Sequence, residues 1–366
     1  MHISSLPSPY GIGTLGKAAY EFADFLYAAG QHYWQLLPIG PTSYGDSPYQ
    51  SFSTCAGNPY FIDLDLLIAD GLLTQEEVNA IDWASHSERV DYGFQFSVRF
   101  DLLYRAYRRG CDRDADAVRQ FRQENPWVEN YALYMALKRS NGMRSWEFWP
   151  EEIRLRRAGA VETYAIHVAE DIHFFIYLQF LFFRQWNALR DYVHGLGIEI
   201  IGDLPIYVPY DSCDVWANPE LFQLEQGIPT GVAGCPPDYF AKDGQLWGNP
   251  LYNWDRMRQD GYAWWMERIR AASRLFDVIR LDHFRGLESY WSVPYGDPTA
   301  RNGRWVKGPD HDFINRLHEV FPNLRLIAED LGFLTEEVIR LQHDSGYPGM
   351  KVLEFAFDPR EPSNYL

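Results

Sequence analysis

Cysteine is scarce. The 366 residues hold four, Cys55, Cys111, Cys213 and Cys235, well separated and without a C-x-x-C pair. That argues against a disulfide framework and a thiolate zinc site, and predicts reduced thiols in a cytoplasmic protein. Basic residues are in deficit: 33 Lys and Arg against 50 Asp and Glu leave a net charge of −17. Nucleic acid and anionic membrane both need a basic surface, so neither is expected as a partner. Long hydrophobic runs are missing as well. The most apolar stretch, residues 172–183 (IHFFIYLQFLFF), is too short for a bilayer, contains His173 and Gln179, and reads as a buried helix. The start, MHISSLPSPYGIG, shows neither the basic nor the apolar region expected of a signal peptide. There is no low-complexity tract and no repeat of fixed period.

Aromatic residues are plentiful: 13 Trp, 24 Tyr and 23 Phe. Many suit a core, and Tyr and Trp also suit partly wet binding surfaces, because each has an apolar face and a polar handle. The length fits about two domains, or one barrel of about 250 residues with insertions. Short apolar runs ending in Gly, Pro or Asp read as buried parallel strands at residues 31–38, 197–203, 276–282 and 324–330, with a weaker one at 350–357 and a stub around 2–4. Amphipathic helix patterns at 15–29, 264–276 and 312–321 each precede one of these runs. Thr335 opens a further helix as an N-cap, with Glu336 and Glu337 in its first turn. Strand and helix in alternation imply a parallel α/β architecture. Two insertions break the alternation: a mostly helical, charged one over 66–190, with a capping box at Thr74 and Glu77, and a Pro-, Gly-, Trp- and Tyr-rich loop over 203–260. Long loops after parallel strands are where α/β barrels build their sites.

Three of the strand-like runs end in carboxylates: Asp203, Asp282, and Glu329 with Asp330. At the carboxyl ends of barrel strands such side chains converge on the site. Each could instead simply cap the next helix. Arg280 and Asp282 are two apart and share one face of a strand, where the arginine favours an ionised carboxylate suited to nucleophilic attack. A structural ion pair is the alternative. Glu329 follows an apolar run, and both desolvation and the neighbouring Asp330 raise its proton affinity towards that of a general acid. A nucleophilic aspartate with a protonated glutamate is the pair that glycoside chemistry uses, about 5–5.5 Å apart in retaining enzymes. The aromatic loops at 44–50 and 236–250 could pack on sugar rings. Trp247 fits that role better than Trp254, Trp264 and Trp265, which are predicted to pack internally. There is no phosphate-binding loop, no H-E-x-x-H, and no histidine cluster, so neither a metal nor an organic cofactor is implied.

At these residues the sequence resembles the amylomaltases, the 4-alpha-glucanotransferases of glycoside hydrolase family 77. The matching motifs are SLPSPYGIG (5–13), GDSPYQSF (45–52), AGNPYFIDLDLL (56–67), GDLPIYV (202–208), PPDYF, GQLWGNP, RLDHFRG (280–286) and AEDLG (328–332). The resemblance implies a (β/α)8 TIM barrel with inserted helical and loop subdomains. It makes Asp282 the nucleophile and Glu329 the acid/base. It makes Tyr49, Asp203, Asp238, Trp247, Arg280 and His283 substrate contacts, with maltooligosaccharides and α-1,4-glucans as substrates. The reaction implied is a retaining double displacement, with a loop over 228–250 that keeps water out while an acceptor sugar binds. The resemblance also implies a third carboxylate in a His-Asp motif on the seventh strand. No such motif occurs within the 366 residues. The chain is therefore expected to be an incomplete catalytic barrel that lacks its last two strands and is inactive, or nearly so, on its own. Two rival readings remain: a retaining hydrolase of the α-amylase type, and an inactive glucan-binding fragment.

Overall fold

A computed structural model describes residues 1–43, 45–83, 89–238, 241–332 and 334–357, without the side chains of Glu354 and Phe355. Of the aromatic loops expected at the site, Tyr44, Tyr239 and Phe240 lie outside the described residues. The chain divides into two compact units, Met1–Ile201 with Val208–Pro229, and Gly202–Tyr207 with Thr230–Leu366.

In the first unit, helix α1 (Lys17–Ala28) leads into strand β1 (Tyr33–Gln35). β1 pairs in parallel with the start of β2 (Glu199–Leu204), Tyr33 opposite Glu199 and Gln35 opposite Ile201. Between them the chain is largely helical, with α2 (Tyr92–Gly110), α3 (Trp127–Ser140) and α4 (Ala169–Gly195) the longest. The apolar run at 172–183 is the buried heart of α4, as expected. Of its two polar residues, His173 is exposed and Gln179 is buried with partners: the Gln179 amide donates to and accepts from the Gly57 backbone at 2.9 and 2.8 Å. Gln185 does the same for Asp63, at 3.2 and 2.7 Å. A buried amide is tolerated when both its ends are satisfied. Gly57 must be glycine here, because a Cβ would fall within the Phe182 ring. The capping box of Thr74 and Glu77 forms as predicted. Among the described residues no single helix is long and apolar enough to cross a membrane.

The second unit starts at the end of β2. Helix α5 (Ala263–Leu275) precedes β5 (Val278–Leu281), and α6 (Asp310–Val320) precedes β8 (Leu326–Ala328), as the periodicity predicts. Thr335 caps α7 (Glu336–Ser345) through its side chain. β5 and β8 pair in parallel, Ile279 opposite Leu326 and Leu281 opposite Ala328. The Asp282 N–H donates to the Leu204 carbonyl at 3.0 Å, which sets the end of β2 beside the end of β5. Gly202 has no room for a side chain, because the Phe276 ring occupies the space. Trp254 and Trp265 stack in the core, ring centres 6.2 Å apart.

Three expectations need correction. The stub at 2–4 is a 3-10 helix, Ile3–Ser5. The run at 350–357 is not a strand either: Ala328 N–H reaches the Pro348 carbonyl at 2.9 Å, but Leu353–Phe357 then coils as a 3-10 helix. Short apolar runs fit both conformations, and the partner strand decides. The loop at 203–260 contains strands. β3 (Gly231–Cys235) and β4 (Gln245–Pro250) join β6 (Ser289–Pro294) and β7 (Arg304–Lys307) in an antiparallel sheet ordered β4-β3-β6-β7.

Candidate active site

The site is built on strand ends of the second unit. Arg280, on β5, lies at its centre. Its Nη1 is 2.6 Å from Asp203 Oδ1 and 2.7 Å from Asp282 Oδ1. Burial works against the guanidinium charge, but the two carboxylates outweigh it and push its pKa above the usual value. The two aspartates differ in access. The Asp203 side chain is 3% exposed and that of Asp282 is 30% exposed, so only Asp282 presents a carboxylate to an incoming ligand.

Glu329 follows β8. Its N–H donates to the Leu281 carbonyl at 3.0 Å, and its carbonyl accepts from Phe284 N–H at 3.2 Å. These bonds lace the chain after β5 to the chain after β8. The carboxylate accepts from His283 N–H at 2.8 Å and from Leu331 N–H at 3.0 Å. Burial, and then the charge of Asp282, raise the Glu329 pKa; the two N–H bonds and Arg280 oppose this without cancelling it. The sequence argument assigned part of this rise to Asp330. The structure corrects that: the Asp330 carboxylate accepts from Met350 N–H at 2.7 Å, and Asp282 supplies the charge. A glutamate with raised proton affinity beside an accessible, salt-bridged aspartate can supply a proton donor and a nucleophile.

His283 sits in the left-handed region at φ +54°, which turns the chain so that its N–H meets Glu329. Burial and the Arg285 charge push its imidazole down to about 3, so the ring is neutral. Nε2 is buried and has no partner among the described residues. Trp247, half-buried on β4, meets the His283 ring edge to face with centres 4.8 Å apart. Tyr207 lies 6.2 Å from Trp247 on its other contact. Arg280 with Asp203 and Asp282, and Glu329 with His283 and Trp247, thus form two linked groups of one unit, brought together where the chain after β8 is laced to the chain after β5. Asp238, also in this unit, is exposed. It closes its own loop, with Oδ1 accepting from Ala241 N–H at 2.6 Å. Tyr49 belongs to the first unit, half-buried in the turn closed by the Thr42–Ser51 bridge. Two neighbours escaped the sequence reading. Tyr207 was legible in the GDLPIYV motif. Met350, whose sulfur lies 3.1 Å from Arg280 Nε, carried only the signal of a strand start and none of a place at the site.

A parallel β/α frame whose strand ends gather an arginine, an accessible aspartate and a glutamate of raised proton affinity has the layout of an α/β enzyme with its site at the strand ends. Its family can be stated. The profile of glycoside hydrolase family 77, 4-alpha-glucanotransferase, matches residues 1–366, and the chain belongs to that family. It is a transferase acting on glucans, which disfavours the hydrolase and binding-only readings. The 4-alpha-glucanotransferase of Clostridium butyricum is 47% identical, the match covering all of this chain and 77% of that protein. The Thermus thermophilus 4-alpha-glucanotransferase is also 47% identical, over all of this chain and 74% of that one. The amylomaltase of Streptococcus agalactiae, solved with acarbose, superposes with a TM-score of 0.97 at 40% identity, covering 100% of this chain and 74% of that chain. The likeness places the fold among the α/β, TIM-barrel-like amylomaltases.

Proposed function

We propose that the reaction is a retaining double displacement on α-1,4-glucans, with Asp282 as nucleophile and Glu329 as acid/base. Glu329 protonates the glycosidic oxygen while Asp282 attacks the anomeric carbon, and the leaving glucan departs. The 4-hydroxyl of an acceptor then attacks the glucosyl-enzyme, losing its proton to Glu329. Maltooligosaccharides and longer glucans serve as donor and acceptor. The raised pKa of Glu329 beside an accessible Asp282 carries this reading, since the first step needs a protonated acid.

Arg280 keeps the nucleophile oriented, and Asp203 holds Arg280. The neutral His283 offers Nε2 to a substrate hydroxyl. Trp247 offers a ring face to a sugar, and Tyr49 and Asp238 add further substrate contacts, as the family motifs imply. The segment 66–190 is a helical insertion and 203–260 a substrate-loop insertion, whose part over 228–250 keeps water out while an acceptor sugar binds. The dispersed cysteines, none in a disulfide among the described residues, support a cytoplasmic setting.

Maltotriose tests the reading. Transfer yields glucose together with longer maltooligosaccharides, whereas hydrolysis yields only shorter products. Asp282→Asn abolishes both half-reactions. Glu329→Gln still forms the glucosyl-enzyme from α-glucosyl fluoride, whose leaving group needs no proton, and added azide then releases it as glucosyl azide. Retained transfer by Asp282→Asn would overturn the assignment.

A further inference from the structure

We infer that Met350 is a positioning residue for glucanotransfer: it holds the Arg280 guanidinium in register with Asp203 and Asp282, and Asp330 sets Met350 in place. This rests on the reading of Asp282 as nucleophile. The Met350 thioether lies 3.1 Å from Arg280 Nε and accepts its N–H. Nη1 of the same guanidinium reaches both carboxylates. A planar group bonded at one corner can still swing about that corner. A second bond at Nε, even a weak one to sulfur, fixes the plane. The Arg280 side chain is only 12% exposed, so an Nε–H deprived of its acceptor is poorly served by water.

Met350 is itself fixed. Its N–H donates to Asp330 Oδ1 at 2.7 Å, and the Pro348 carbonyl accepts from Ala328 N–H at 2.9 Å, so residues 348–350 run alongside the end of β8. Gly349 completes the fit, because a side chain there would collide with the Asp330 carboxylate. Among the described residues, the charges that bear on Glu329 are Asp282 and Arg280, and Arg280 is itself held by Asp203 at the end of β2. Met350 adds no charge to that set, so its effect is geometric.

The test compares two substitutions of nearly equal volume. Met350→Leu keeps the packing and removes the acceptor. It should lower kcat about tenfold with donor KM unchanged, and lower Tm somewhat because the buried Nε–H loses its acceptor. Met350→Gln offers an amide oxygen to Arg280 Nε and should restore most of the loss. Asp330→Ala should reproduce the Met350→Leu defect, and Asp330→Asn, which still accepts from Met350 N–H, should not. If Met350→Leu fails to fold, the two Asp330 variants decide the matter in the same way. Wild-type kcat in Met350→Leu, or a Gln variant no better than the Leu variant, overturns the inference. Asp282→Asn runs alongside as a control. Activity there sinks the nucleophile assignment, whereas an inactive Asp282→Asn with a wild-type Met350→Leu sinks only the positioning role.

Discussion

His283 gives its backbone N–H to Glu329 Oε2 at 2.8 Å, from a left-handed conformation at φ +54°. One residue therefore serves Glu329 through its backbone and faces Trp247 through its ring. The two contributions separate by substitution.

Asn tolerates the left-handed region, so His283→Asn keeps the N–H in place and loses only the ring. Its Tm should match wild type, and KM for maltooligosaccharides should rise about tenfold for the lost hydrogen bond and packing. A β-branched residue resists this φ. His283→Val should cost about 1–3 kcal/mol in stability and lower kcat as well, because the donor to Glu329 moves. Thermal melts beside steady-state kinetics check both, and equal losses of Tm in the two variants would argue against the separation.

The raised pKa of Glu329 has a stability consequence. The folded state binds this proton more tightly than the unfolded chain, so the group's contribution is full below the unfolded glutamate value and is lost as pH rises through the folded value. Glu329→Gln mimics the protonated form. It should melt above wild type at neutral pH, with the gap closing in acid. A pH series of melts measures this. A variant that is no more stable than wild type at pH 7 would contradict the raised value.

A second pH effect lies outside the candidate site. The His311 ring bridges Asp310 at 2.7 Å and Asp344 at 3.0 Å, tying the start of α6 to the end of α7. Asp344 first, then Asp310, raises its pKa above 6.5, against some loss from burial. The bridge's contribution is complete below the unfolded histidine value and fades as pH rises through the raised one. His311→Gln should flatten the Tm profile across that window while leaving kcat unchanged. An identical profile in the variant would show that the bridge is thermodynamically silent.

Much of this molecule was legible in one dimension, because the relevant physics is local. Thr335 and the Thr74–Glu77 pair announce helix starts by bonding a backbone N–H within three residues. Carboxylates after apolar runs announce strand ends, and the two-residue period puts Arg280 and Asp282 on one face. Relations across long stretches of chain were beyond that reach. β3 is short and rich in Gly, so nothing in residues 231–235 signals a strand; its pairing with β6, Val232 opposite Val293, exists only once the chain has folded. The sequence placed Asp330 beside Glu329 and so assigned it a charge effect, but tertiary structure turns its carboxylate to Met350. Likewise Asp203 and Met350 lie far from Arg280 along the chain, yet both bond its guanidinium. Residue identity and periodicity determined which chemistry the chain carries. Burial and long-range contacts decided which carboxylate binds its proton more tightly and which faces solvent, because both depend on neighbours that only folding brings near.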